Sequence, residues 1–153
     1  MSNPFDDVHV LHCVAVKLRD EKTIRALVHA SPKYAKFVQQ NRSVKTELYD
    51  AAAQKCFNEY EDEEWRAFGC IHRGGNEAAV IWADGTRYWF KEGKQHRDGD
   101  KPAVIDADGT REWYKEGELH REGDEPAVIE ADGTRERHKE GKPHREGDQP
   151  AEI

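Results

Sequence analysis

The chain has 153 residues, 24 of them Lys or Arg and 31 Asp or Glu, for a formal charge of -7, and only 36% are hydrophobic. That apolar share lies below the roughly 45 to 50% of an ordinary globular domain, which disfavours a thick two-layer core and points to a thin fold of one domain or two small ones. No apolar run of membrane-spanning length occurs, the start MSNPFDDVHV is acidic where a secretory leader is basic, and Cys13, Cys56 and Cys70 are odd in number without a C-x-x-C. The expectation is a cytoplasmic protein with reduced thiols and no membrane span, disulfide framework or zinc knuckle.

Residues 1–57 hold nine basic and six acidic residues and no glycine. Their apolar residues recur at helical spacing. Phe5, Val8, Leu11, Ala15 and Leu18 fall at steps of three and four behind Pro4, which suits a first helical turn. Asp20 reads as the N-cap of a second helix carrying Ile24, Leu27 and Val28, and Ser31-Pro32 as cap and first residue of a third with Tyr34, Phe37 and Val38. A fourth, after Ser43, carries Val44, Leu48, Ala52 and Cys56. These make a compact bundle of short helices over residues 1–57.

The rest, 58–153, has 15 basic and 25 acidic residues. Such a surface repels phosphate backbones and anionic membranes, so nucleic acid and membrane are not expected partners. From residue 65 the chain repeats every 24 residues: His72, His96, His120 and His144, each followed by Arg, and likewise Gly69, Gly93, Gly117 and Gly141, or Asp84, Asp108 and Asp132. A period of this length means stacked supersecondary units, none able to bury its apolar face alone. In the unit PAVIDADGTREWYKEGELHREGDE, Asp108-Gly109 between short apolar stretches reads as a two-residue type I′ hairpin turn with both residues at positive φ. That turn sets Ile105 opposite Glu112 and Asp106 opposite Arg111, an ion pair repeated as Glu130 and Arg135. A half unit, Glu64-Trp65-Arg66 through Gly69 to His72, joins the repeats to the helices, with Tyr60 where the turn Asp would stand.

The string Gly93-Lys94-Gln95-His96, then Ala107-Asp108-Gly109-Thr110, then Glu112-Trp113-Tyr114-Lys115-Glu116-Gly117 resembles a MORN-type repeat over about the last 90 residues. H-R-x-G-D-x-P-A-V stands in place of the family's G-x-G-x-Y, as in a divergent variety seen in viral and bacterial proteins. The resemblance implies an elongated single layer of antiparallel hairpins that serves as a protein-binding or scaffolding surface. In the N-terminal segment, Pro4-Phe5-Asp6-Asp7-Val8, Leu18-Arg19-Asp20 and the string from Ile24 to Tyr34 resemble an F-box, with Asn3-Pro4 replacing its leading Leu-Pro. That resemblance implies recruitment of a Skp1-type ubiquitin-ligase adaptor through Pro4, Val8, Leu11 and Leu27. The alternative is a plain helical cap over the aromatic-rich first repeat.

The fold expected is therefore α+β, an N-terminal short-helix bundle (1–57) followed by an elongated single-layer antiparallel β-hairpin repeat array (58–153). Equivalent histidines would stand roughly 10 Å apart, two strands per unit, too far to share an ion, and a loop histidine bonded to backbone is the plainer reading. No nucleophile elbow or phosphate loop occurs, and the repeat copies every candidate group, so no catalytic residue, metal or cofactor is expected. The repeats are graded: Trp82, Tyr88, Trp89 and Phe90 become Asp106, Glu112, Trp113 and Tyr114, then Glu130, Glu136, Arg137 and His138. Trp82, Trp89, Phe90, Trp113 and Tyr114 are candidate anchors for a protein partner, or simply the inside of the sheet. Self-association as a homo-oligomeric scaffold of a viral or phage particle is the alternative function.

Overall fold

The computed structural model describes residues 8–144 and is an α+β fold, with helices first and antiparallel hairpins after. The helices are α1 (Val8–Leu18), α2 (Glu21–Ala30), α3 (Pro32–Gln40) and α4 (Arg42–Ala52). Asp20 Oδ2 accepts from the Thr23 N–H (2.9 Å) and Ser31 Oγ from the Tyr34 N–H (3.3 Å), with Pro32 following Ser31. Each cap satisfies a first-turn donor that has no partner within the helix. α4 differs from the sequence expectation. It opens at Arg42 and ends at Ala52, and Cys56 lies on the strand that follows. Leu11, Ala15, Ile24, Tyr34, Leu48 and Ala52 form the bundle core, joined by Ala67 from the sheet.

The strands are β1 (Gln54–Phe57), β2 (Glu63–Ala67), β3 (Cys70–Ile71), β4 (Val80–Ile81), β5 (Arg87–Tyr88), β6 (Phe90–Lys91), β7 (Lys94–Gln95), β8 (Val104–Ile105), β9 (Arg111–Glu112), β10 (Tyr114–Lys115), β11 (Glu118–Leu119), β12 (Val128–Ile129), β13 (Arg135–Glu136), β14 (His138–Lys139) and β15 (Lys142–Pro143). A nine-stranded antiparallel sheet runs β1-β2-β4-β5-β8-β9-β12-β13, with β3 on β2. Beyond it each unit forms a second hairpin, β6–β7, β10–β11 or β14–β15.

The hairpin register is one residue away from the expected one. Ile105 faces Arg111 and Val104 faces Glu112. The Gly109 N–H donates to Asp106 O (3.0 Å) and the Asp106 N–H to Thr110 O (2.9 Å), and only Gly109, at φ 98°, is left-handed. This is a three-residue loop ending in a glycine bulge. Asp108 serves it with its side chain, whose Oδ1 accepts from the Thr110 N–H at 2.8 Å. The slip separates Asp106 from Arg111 and Glu130 from Arg135, and neither expected ion pair forms. The type I′ turns lie instead in the second hairpins. Glu116 and Gly117 (φ 56° and 91°) join Lys115 to its opposite Glu118, and Phe68-Gly69, Glu92-Gly93 and Glu140-Gly141 repeat the geometry.

The array also begins earlier than the sequence suggests. β1 pairs Cys56 with Glu64 and Phe57 with Glu63, the positions at which Val104 meets Glu112 and Ile105 meets Arg111 two units on. Its turn is closed by the same two bonds, Asn58 N to Asp62 O and Glu61 N to Asn58 O. Glu61 stands at φ 66° where later units have glycine, and Asn58 Oδ1 supports it by accepting from the N–H groups of Tyr60 and Asp62. The half unit is thus a whole one starting at residue 54, and the helical part stops at Ala52.

Four polar rungs join each unit to the next and explain which residues recur. The Trp89 and Trp113 N–H groups donate to Ala103 O and Ala127 O (both 2.8 Å). Thr86 and Thr110 Oγ1 accept from the N–H of Ala107 and Ala131, and Asp62 does the same for Ala83. The Gly93, Gly117 and Gly141 N–H groups donate to Ile71, Gln95 and Leu119 O. His72, His96 and His120 Nδ1 accept from the N–H of Glu92, Glu116 and Glu140. An acceptor Nδ1 leaves the proton on Nε2, which His72 donates to Asp50 (2.7 Å) and His96 to Asp98 (3.0 Å), whereas His120 Nε2 lies 3.1 Å from Glu122 without a hydrogen bond.

α4 fastens the helices to the second hairpins. Lys45 Nζ lies 2.5 Å and Thr46 Oγ1 2.9 Å from the Glu92 carboxylate, Arg42 pairs with Glu116, and Tyr49 packs edge-on to Phe68 and His72. Among the described residues no helix is long and apolar enough to cross a membrane.

Candidate functional site

The nine-stranded sheet carries two registered rows. One runs Glu64, Val80, Tyr88, Val104, Glu112, Val128 and Glu136; the other runs Glu63, Ile81, Arg87, Ile105, Arg111, Ile129 and Arg135. Directly opposed residues share a face, so valine floors the first and isoleucine alternates with exposed arginine in the second.

Trp82 lies beside the first row, 42% exposed, with its ring 4.7 Å from that of Tyr88. Burial, then the charges of Asp106, Asp84 and Glu112, push the Tyr88 phenol up to about 12. Tyr114 is pushed up to about 12 by burial, by its hydrogen bond with Glu112, and by the charges of Glu112 and Asp106. Burial, with Asp108 and Asp84 beside it, likewise raises Asp106. Trp82, Tyr88 and a group of carboxylates therefore share one patch, which Tyr114 reaches through Glu112, and no cation from this chain is paired with Asp84, Asp106 or Glu112 among the described residues.

The side of the array that carries the His-Arg loops is different. Asp98 meets Lys91 and His96, Asp100 meets Arg121, Glu122 meets Lys115 and His120, and Asp124 meets Arg137. The hydrogen bond from His96, opposed by burial and helped by Lys91, holds the Asp98 carboxyl below its usual value. Between successive loops is a groove of about 490 Å³ lined by residues such as Arg97, Lys101, Trp113, Tyr114 and Arg121. A smaller one, about 90 Å³, lies one unit earlier against Trp89 and Phe90.

The five aromatic candidates separate accordingly. Trp89 and Trp113 are core, each 6% exposed and covered by an arginine, Arg97 at 3.8 Å and Arg121 at 4.1 Å from the ring centroids, as Arg73 covers Trp65 at 3.7 Å. Phe90 and Tyr114 are half-buried at the grooves, and Trp82 alone is broadly open. Sequence reasoning passed over Asp84, Asp106, Glu112 and Tyr88 as a group. The signal was present in the graded positions, which hold carboxylates at the 24-residue period.

Of the adaptor candidates, Leu11 is 2% exposed in the bundle core and Leu27 is half-buried against it. Val8 opens α1, and Pro4 lies outside the described residues. The three cysteines are free thiols, Cys13 exposed and the other two half-buried. Comparison with protein-family models, with curated proteins and with solved structures finds no match for this chain.

Proposed function

We propose that this chain is a non-catalytic protein-interaction protein whose MORN-like array is the partner-binding surface. The observation that carries this reading is the exposure of Trp82 on Tyr88 in an array that buries Trp89 and Trp113, since an aromatic left open beside a registered row is the usual form of an interface anchor. The array's histidines support a structural use, because His72, His96 and His120, three of the four at the 24-residue period, are occupied in joining units. The reading includes a cytoplasmic setting, supported by three unbridged cysteines. In its sharper form the F-box-like helices bring a Skp1-type adaptor to a client held by the array. Leu11, one of the residues the resemblance names, is buried in the bundle core and is not open to that contact.

The test is capture of binding proteins from a cell lysate by the intact chain, by Trp82→Ala and by Arg111→Ala. Loss of captured bands with Trp82→Ala alone supports the reading; identical capture by all three variants overturns it. Purified adaptor in the same assay decides the F-box part. A second reading, self-association as a scaffold, is favoured by β1, which stands at an edge of the nine-stranded sheet with Phe57 64% exposed. Sedimentation at rising concentration separates the two.

A further inference from the structure

The patch around Trp82 differs from the loop side of the array in that, among the described residues, no salt bridge pairs its carboxylates with a cation of this chain. On the loop side each of Asp98, Asp100, Glu122 and Asp124 has a basic partner from the array. Beside the valine row, Asp84, Asp106 and Glu112 have aromatic neighbours and one another. Carboxylates held together without a cation repel each other and stabilise whatever positive group comes to them. The patch also has direction. Trp82 and Tyr88 stand at the helical end, Asp106, Glu112 and Tyr114 follow one unit on, and Glu130 holds the equivalent place in the next. At two strands per unit, this run covers about 20 Å, the length of about six extended residues.

We propose that this face receives a lysine- or arginine-rich segment of a partner protein, laid across the strands with one basic side chain against the Trp82 and Tyr88 rings and others at Asp106, Glu112 and Glu130. The inference rests on the array being a partner-binding surface and names the chemistry of that partner. Methylene stems of Lys and Arg cover aromatic rings while their charged ends reach the carboxylates, and ring faces attract the cation directly. A second copy of the chain is the weaker occupant. Its row of Arg87, Arg111 and Arg135 is complementary in sign, but each copy brings a half with ten more acidic than basic residues, and two such arrays repel.

The experiment titrates a fluorescent octalysine peptide into the full chain and reads anisotropy together with tryptophan emission. Asp106→Asn with Glu112→Gln should weaken binding about tenfold or more, whereas Asp98→Asn with Glu122→Gln, which removes the same charge from the loop side, should change it less than about twofold. Trp82→Ala should also weaken it, and keeps the test decisive if the first double variant fails to fold. Equal weakening by both double variants would reduce binding to net charge and overturn the proposal. So would concentration-dependent sedimentation abolished by Arg111→Glu, which assigns the face to a second copy. Octalysine that does not bind, alongside lysate capture that still depends on Trp82, rejects the basic partner and leaves the array reading standing; loss of both rejects the two together.

Discussion

The helical bundle and the β-array answer a shortage of apolar residues in different ways. The bundle concentrates volume, burying Ile24 and Tyr34 completely among Leu11, Leu48 and Ala52. The array buries little beyond Val on one side and Ala with a Trp–Arg stack on the other, and holds its units together by four polar rungs repeated at every junction. The bundle should therefore respond to changes of volume, and the array to loss of a hydrogen-bonding partner or a turn residue. The one large apolar group the array cannot lose is its tryptophan. Trp113→Ala removes the body of the stack under Arg121 and should cost about 3 to 5 kcal/mol, while Ile24→Ala in the bundle should cost about 2 to 4 kcal/mol. Urea titrations followed by tryptophan emission and by helical circular dichroism measure both. A cost below 1 kcal/mol for Trp113→Ala would mean that the Trp–Arg stack is surface decoration.

A comparison of two histidines sharpens the contrast, because one joins array to array and the other joins array to bundle. His96 and His72 accept the same backbone bond, but the His72 side chain is 1% exposed against 13% for His96, and its Nε2 meets Asp50 of α4. An orphaned amide costs more where water cannot reach it. His72→Ala is expected to cost about 2 to 3 kcal/mol and His96→Ala about 1 kcal/mol. With His72→Ala the helical and tryptophan signals should also cease to melt together. Gly74→Ala should act in the same direction, since a Cβ there would stand 2.4 Å from Asp50 Oδ1.

The two regions were also unequally legible. Three of the four helices followed from Asp20, Ser31-Pro32 and the apolar stripes, because caps and periodicity are local properties. α4 was misplaced because Asn41, which precedes it, caps nothing and spends its amide on Phe37 O instead. The 24-residue period marked the array, but the register did not follow from it. Asp-Gly serves a two-residue and a three-residue loop equally well, and Glu-Gly carries no conventional turn signature although it forms the type I′ turns here. The first unit was hidden because Glu61 and Asp62 replace the Gly and Thr that mark the others. The acidic patch needed the register, since only the slipped pairing puts Glu112 across Val104 from Tyr88.

Acid should separate the halves before it unfolds either. Burial pushes the Glu92 carboxyl up, but the hydrogen bonds from Lys45 and Thr46 and the Lys45 charge outweigh it, and the group is held below its ordinary value of 4.5. A carboxyl lowered on folding contributes stability that is present in full above its unfolded value and is lost as pH falls through its folded one. The α4–array contact is therefore constant at neutral pH and weakens as pH falls below that ordinary value. Glu92→Gln should remove that acid-side dependence from the shared melting transition. A wild-type protein whose two signals go on melting together as the pH is lowered would take the coupling off Glu92.

The smallest effect distinguishes the two kinds of turn, and it has opposite signs at two positions that look alike in sequence. Glu140 sits at φ 52° in a type I′ turn beside Gly141, a conformation that costs an ordinary side chain about 1 kcal/mol and asparagine less. Glu140→Asn should therefore stabilise by a few tenths of a kcal/mol, up to about 0.5. Asp108 is not left-handed, and its carboxylate holds the Thr110 N–H at 2.8 Å. Asp108→Gly gains nothing from glycine's freedom and loses that bond, so it should destabilise by about 1 kcal/mol. If Asp-Gly were the type I′ turn the second sign would reverse, and with it the pairing of Val104 with Glu112. Coupling between Asp106 and Arg111 in a double-mutant cycle reads the same register independently. It should be close to zero, because the slip sets Arg111 opposite Ile105. A coupling of about 0.5 kcal/mol or more would restore the unslipped pairing, put Glu112 across from Ile105 and dissolve the acidic patch beside Trp82.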